Sequence, residues 1–156
     1  MRGPVVERLV GRGVGSVVAL ALLLPVAGCG EDPVDAYCSK LEADRPRIAA
    51  MIDSDSPSPL LANRRFLHDL ADAAPSDVAD EWQTFLAALD GLQKALDRAG
   101  VKPSSFVGGK PPAGLTATQK SGIADAVAQL GTDDTLAAAS GIEQQARDVC
   151  KVNFGL

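Results

Sequence analysis

Three cysteines, one histidine and a few paired carboxylates are the residues in this chain whose types could do chemistry. Cys29, Cys38 and Cys150 offer thiols, which can carry a covalent group, ligate a metal or pair with one another. His68 stands in His68-Asp69-Leu70-Ala71-Asp72. A histidine and a carboxylate four residues apart share a helix face and could hold a metal. One His with one or two Asp is a poor set for zinc, so a solvated helix face is the simpler reading. His68 has no nucleophile partner either, because no serine sits in a Gly-x-Ser-x-Gly elbow. Gly108-Gly109-Lys110 hints at a phosphate loop. Ser104 stands where that loop needs its first glycine, and Pro111 stands where it needs Ser or Thr. The segment therefore reads as linker. Asp133-Asp134 lacks the ligand spacing of a calcium loop and suits a helix cap. Arg45, Arg47, Arg64 and Arg65 cluster about one turn and could form an anion patch, although Asp44 and Asp69 lie close enough to balance them. Trp82 could stack on a ligand, but its spacing suits a packed seam better. Nothing here calls for a catalytic residue, a metal or a cofactor.

The first thirty residues have a separate logic. Arg2, Arg8 and Arg12 give a positive start, and Gly13 to Gly30 carry no charge at all. The dense apolar part, Val17 to Leu24, is short for a membrane-spanning helix, which wants about 20 apolar residues. Beyond it, Pro25, Gly28 and Gly30 interrupt the apolar run. An ordinary secretory cut after Ala27 would put Pro25 where a small residue is wanted. The sequence Leu24-Pro25-Val26-Ala27-Gly28-Cys29 resembles the lipobox of bacterial lipoprotein precursors. That resemblance implies removal of residues 1–28 as a signal peptide. It also implies diacylglycerol, and often a third chain such as palmitate, on Cys29. Two or more acyl chains anchor a protein stably, whereas one does so only reversibly. The expected address is therefore the extracytoplasmic face of the cell membrane, with lipid on Cys29 as the membrane partner.

With Cys29 occupied by lipid, Cys38 and Cys150 remain, and an oxidising space outside the cytoplasm is expected to pair them. Residues 1–28 hold three Arg and one Glu, so a mature chain has 12 basic and 19 acidic residues, or −7, against 15 and 20 in the full chain. Such an acidic domain gains nothing from an anionic lipid surface and argues against nucleic acid as a partner. The short tether, residues 29–33, spans at most about 14 Å over its last four positions, which keeps the domain close to the headgroups.

The remainder, 34–156, reads as one all-α domain of about five helices. The first covers 34–53 with Val34, Cys38, Leu41, Ile48 and Ile52 as its stripe, and Pro46 predicts a break near 43–45. The second covers about 60–73 and stops at Pro75. The third starts from a Ser76 or Asp77 cap. It carries Val78, Trp82, Phe85, Leu89, Leu92 and Leu96 as a long seam, and it stops at Gly100. Residues 100–115 form a long flexible linker rich in Gly, Pro and Ser. Thr116-Ala117-Thr118-Gln119 fits a capping box and opens the fourth helix, with Ile123, Val127 and Leu130. Gly131 closes it, and Thr132-Asp133-Asp134 opens the fifth, whose expected inner face is Leu136, Ala139, Ile142, Ala146 and Val149.

Five helices alternating in direction would put Cys38 and Cys150 at opposite ends. The linker could restore them to one end, since it can reach about 50 Å extended and helix three is about 33 Å long. A break at Pro46 or a short crossing second helix could serve instead. The composition, rich in Ala, Asp, Val, Arg and Gly, points to a high-GC bacterium. The whole resembles small helical lipoproteins of actinobacteria, a likeness that brings no activity with it. The functional expectation is a non-enzymatic interaction module at the membrane surface, with an unknown protein or small molecule as its partner. A carrier or sensor of a small apolar ligand in the bundle core comes next, and an enzyme last.

Overall fold

The computed structural model describes residues 32–56, 58–106 and 110–156. The lipobox-like segment, Cys29 and Gly108-Gly109 lie outside the described residues. Those described are all-α, with seven α-helices and two 3-10 turns: α1 Pro33–Ala43, α2 Arg45–Ile52, α3 Pro59–Ala62, α4 Arg64–Ala71, α5 Ala79–Ala99, α6 Ala117–Leu130 and α7 Asp133–Asp148. None of these helices is long and apolar enough to cross a membrane.

The first expected helix divides where Pro46 demands it. α1 ends at Ala43, Asp44 sits at φ −89° and ψ 0°, and Pro46 takes the second position of α2. There its missing N–H is one of the donors a helix start leaves unpaired anyway. The second expected helix also divides, at Asn63. Its side-chain Nδ2 donates to the Pro59 carbonyl at 3.0 Å, which also accepts from the Asn63 backbone N–H, and α3 closes there after one turn. These two divisions turn the expected five helices into seven. α1 starts at Pro33, where Asp32 caps it by accepting from the Val34 N–H. Asp32 and Pro33 thus belong to the helix rather than to the tether.

α5 is the central element. Neither Ser76 nor Asp77 caps it: a 3-10 turn, Ser76–Val78, leads in and Val78 occupies the cap without a side-chain bond. At its far end Gly100 adopts φ 70°, the left-handed stop that glycine makes without strain. Two apolar clusters share its length. Trp82, Phe85, Leu86 and Leu89 pack with α1, α2, α4 and the inner face of α7. Ala95 and Leu96 pack with Ile123 of α6. α6 therefore covers the C-terminal half of α5 and α7 the N-terminal half, in succession.

This arrangement corrects the expected path of the linker. Gln119 Nε2 of α6 donates to the Ala99 carbonyl at 3.4 Å, so α6 begins where α5 stops and the linker does not run back along the bundle. Its Val101, Phe106 and Leu115 pack against the second cluster. The alternation is broken because α6 and α7 together make one return along α5. Cys38 and Cys150 are accordingly joined, with Cα atoms 4.8 Å apart, within the range a disulfide allows.

The caps of α6 and α7 form as expected. Thr116 and Gln119 make the reciprocal capping box, and the Thr132 side chain accepts from the Thr135 N–H. The buried face of α7 keeps Ala139, Ile142 and Ala146 of the expected stripe but not Leu136 or Val149. Thr135, Ala138, Ile142 and Ala146 face inward, while Leu136 is 55% exposed and Val149 51%. A Cβ at Gly141 would come within 3.0 Å of the Glu81 side chain, so Glu81 of α5 lies against α7 at this glycine. Thr135 satisfies its hydroxyl by donating to the Gln129 carbonyl at 2.9 Å. In the first helix pair Tyr37 and Met51 are buried, and Ile52, expected inside, is exposed.

Candidate functional site

Trp82 lies in the core. Its ring is buried between Phe85 and Phe154, both edge-on, with centroids 6.4 and 5.9 Å away. Its indole N–H donates to the Tyr37 hydroxyl at 3.0 Å. Burial pushes the Tyr37 phenol up to about 12, the Trp82 bond opposing that rise only in part. Trp82, Phe85 and Leu89 are buried in one apolar cluster, and a hollow of about 350 Å3 beside Trp82 is shared with His68, Asp72, Leu86 and Asp90.

His68 turns toward α5 rather than along its own helix to Asp72. Its Nε2 lies 3.2 Å from both carboxylate oxygens of Asp90, and Arg64 reaches the same carboxylate at 2.7 Å. Partial burial disfavours the charged form of Asp90. The hydrogen bonds and charges of His68 and Arg64 outweigh it and hold the carboxyl below its ordinary range. An ionised carboxylate only accepts, so Nε2 carries the proton. The group ties α4 to α5. Because the folded-state pKa is depressed, its stabilisation is present above pH about 4 and is lost as pH falls through the folded value. Asp90→Asn is expected to cost about 1 kcal/mol at neutral pH and to flatten the acid limb of a denaturation-midpoint profile. An unchanged acid limb would contradict this assignment. Among the described residues no three His, Cys, Asp or Glu side chains converge as a metal set.

Three of the four arginines have partners of their own. Arg45 pairs with Glu42 and reaches the Lys151 carbonyl. Arg47 lies over the Phe66 ring, 4.0 Å from its centroid. Arg64 belongs to Asp90, and Asp44 pairs with Lys40 rather than with an arginine. Asp133 and Asp134 occupy the first turn of α7, as helix-end electrostatics favours.

The concave site is elsewhere, in a place no sequence motif marks. A cleft of about 710 Å3 opens between the C-terminal half of α5, α6 and the segment after Gly100. Leu92 and Leu96 come from α5, and Ile123 and Val127 from α6. Phe106, Pro103 and Pro111 close a third side, and Leu61 of α3 reaches one end. Each wall has a local cause. Ile123 and Val127 fall one turn apart on α6, whose neighbouring alanines leave space beside them. The turn Pro103–Ser105 brings Phe106 against the second apolar cluster. Val127 is 51% exposed and adds its apolar surface to the cleft wall. The volume falls in the range of small-molecule sites, about 300–1,000 Å3, and its lining is mainly apolar with Ser58 and Lys120 as the polar members. What this arrangement can do is take an apolar body out of water.

No family model matches the chain, and no match to it is found among the curated proteins or the solved structures.

Proposed function

We propose that this chain is a lipid-anchored, non-enzymatic binding protein of the extracytoplasmic membrane face, and that its cleft carries a small apolar ligand. The cleft is the observation that carries the reading, since it is apolar, concave and of ligand size. It supports a carrier ahead of a pure protein-interaction module, and it moves the expected site from the bundle core to the α5–α6 surface. The anchoring half of the reading rests on the lipobox-like run ending in Cys29. The Cys38–Cys150 bond supports it, because Cys29 is then the one cysteine outside the pair. α1 is capped at Asp32, three residues after Cys29, which keeps the domain at the headgroups. A protein partner at the membrane surface is the second reading, favoured by that short connection.

The test uses the full chain in bacterial membranes and photoactivatable hexadecanol as probe. Adducts are expected on peptides containing Leu92, Leu96, Ile123 and Val127. Ala124→Trp, at an exposed lining position, is expected to fill the cleft and lower that labelling by about tenfold. Labelling that ignores the cleft peptides, or that survives Ala124→Trp, would sink the carrier reading.

A further inference from the structure

We infer that the cleft takes a single acyl chain bearing an anionic head. The inference rests on the carrier reading and names its ligand class. The walls account for the chain. Leu92, Leu96, Phe106, Ile123 and Val127 form a continuous apolar lining, and each methylene removed from water onto it adds to binding. The rim accounts for the head. In a chain with net charge −5, the stretch from Ala99 to Ala124 contains Lys102, Lys110 and Lys120 and no Asp or Glu.

One of these lysines, Lys120, lines the cleft, and each of the other two precedes a lining proline in sequence, Lys110 before Pro111 and Lys102 before Pro103. Lys102 also lines an adjoining hollow of about 300 Å3 that shares Ser58, Leu61 and Pro103 with the cleft. All three are exposed, and among the described residues none meets a carboxylate. The nearest acids in sequence, Asp97 and Asp125, do not line the cleft and bond to Gln93 and Ser121. The one charged side chain that lines the cleft is a lysine, and a second lysine lines the adjoining hollow, which makes this rim complementary to an anion. A neutral hydrocarbon would use the walls and ignore the lysines, and a cationic amphiphile would be repelled by them.

The experiment compares three hexadecyl photoprobes that differ only in the head: sulfonate, alcohol and trimethylammonium. Each is applied at low ionic strength to the full chain in membranes. Three partly screened lysines are expected to favour sulfonate over trimethylammonium by about tenfold in adducts on the cleft peptides. The triple variant Lys102→Glu, Lys110→Glu, Lys120→Glu is expected to invert that order. Because these side chains are exposed, the variant should keep its thermal midpoint and its Cys38–Cys150 bond, and both are measured alongside. Equal labelling by all three heads, or an order the triple variant leaves unchanged, overturns the anionic-head inference while leaving an apolar carrier standing. Absence of cleft adducts from every probe overturns both, as when the anchor's own chain or a protein partner fills the cleft.

Discussion

Replacing Cys38 and Cys150 together by serine is expected to destabilise the folded chain by about 4–5 kcal/mol. The pair closes a loop with a sequence separation of 112, nearly the whole described domain. Chain-entropy arguments assign that much to a loop of such length, less whatever strain the native state holds. The cost has a local site as well. After Cys150 the chain turns at Lys151, φ 60°, and sends Val152 and Phe154 into the core at 0% exposure. The Val152 N–H donates to the Ala146 carbonyl, which fixes the turn. Without the bond, the C-terminal strap that seats Phe154 against Trp82 is held by packing and by its few hydrogen bonds. Urea unfolding of oxidised and reduced protein, followed by circular dichroism, measures the difference. A shift below about 1 kcal/mol would mean that the bond contributes little to the fold.

Trp82→Ala is expected to cost as much or more, about 5 kcal/mol. Phe or Trp to Ala in a core loses about 3–5 kcal/mol. Here the Tyr37 hydroxyl also loses its donor, and an unsatisfied buried polar group adds about 1–3 kcal/mol. Trp82 touches residues from both ends of the chain, Tyr37 by a hydrogen bond and Phe154 by ring contact. Loss of the ring therefore loosens α1 and the C-terminal strap together. Trp82→Phe keeps most of the packing and isolates the hydrogen bond, with an expected loss of about 1–3 kcal/mol. The double variant with Tyr37→Phe should recover part of it, because both buried polar partners are then gone. Tyr37 supplies an independent check. Its folded-state pKa is raised, so its contribution is intact below pH about 10 and declines as pH rises through about 12. Additive losses in the cycle would show that the bond does not couple the two residues.

Much of the fold is legible in the sequence where one residue type has only one comfortable use. Pro46 divides α1 from α2, Gly100 closes α5, and Thr116 with Gln119 opens α6, each through local backbone chemistry. Other features depend on partners the sequence does not show. Asn63 stands where α3 gives way to α4, its amide on the Pro59 carbonyl, with no proline or glycine to announce the division. α7 buries Thr135 and Ala138 beside Ile142 and Ala146, leaving Leu136 exposed, a choice its apolar spacing does not reveal. Val152 and Phe154 alternate after Cys150, a period-two signal that could have marked a packed extended tail. The cleft has no sequence signature. Its walls come from α3, α5, α6 and the segment after Gly100, and only their meeting makes it concave. The basic stretch from Ala99 to Ala124 was readable, but it gains meaning only beside those walls.

The three sulfur atoms provide the most direct test of the whole account. Peptide mass spectrometry of the full chain extracted from bacterial membranes is the measurement. The expected result is a chain whose first residue is Cys29 carrying diacylglycerol, with Cys38 and Cys150 peptides joined until reduction. Recovery of residues 1–28 still attached to an unmodified Cys29, or of Cys38 and Cys150 as free thiols, would contradict it.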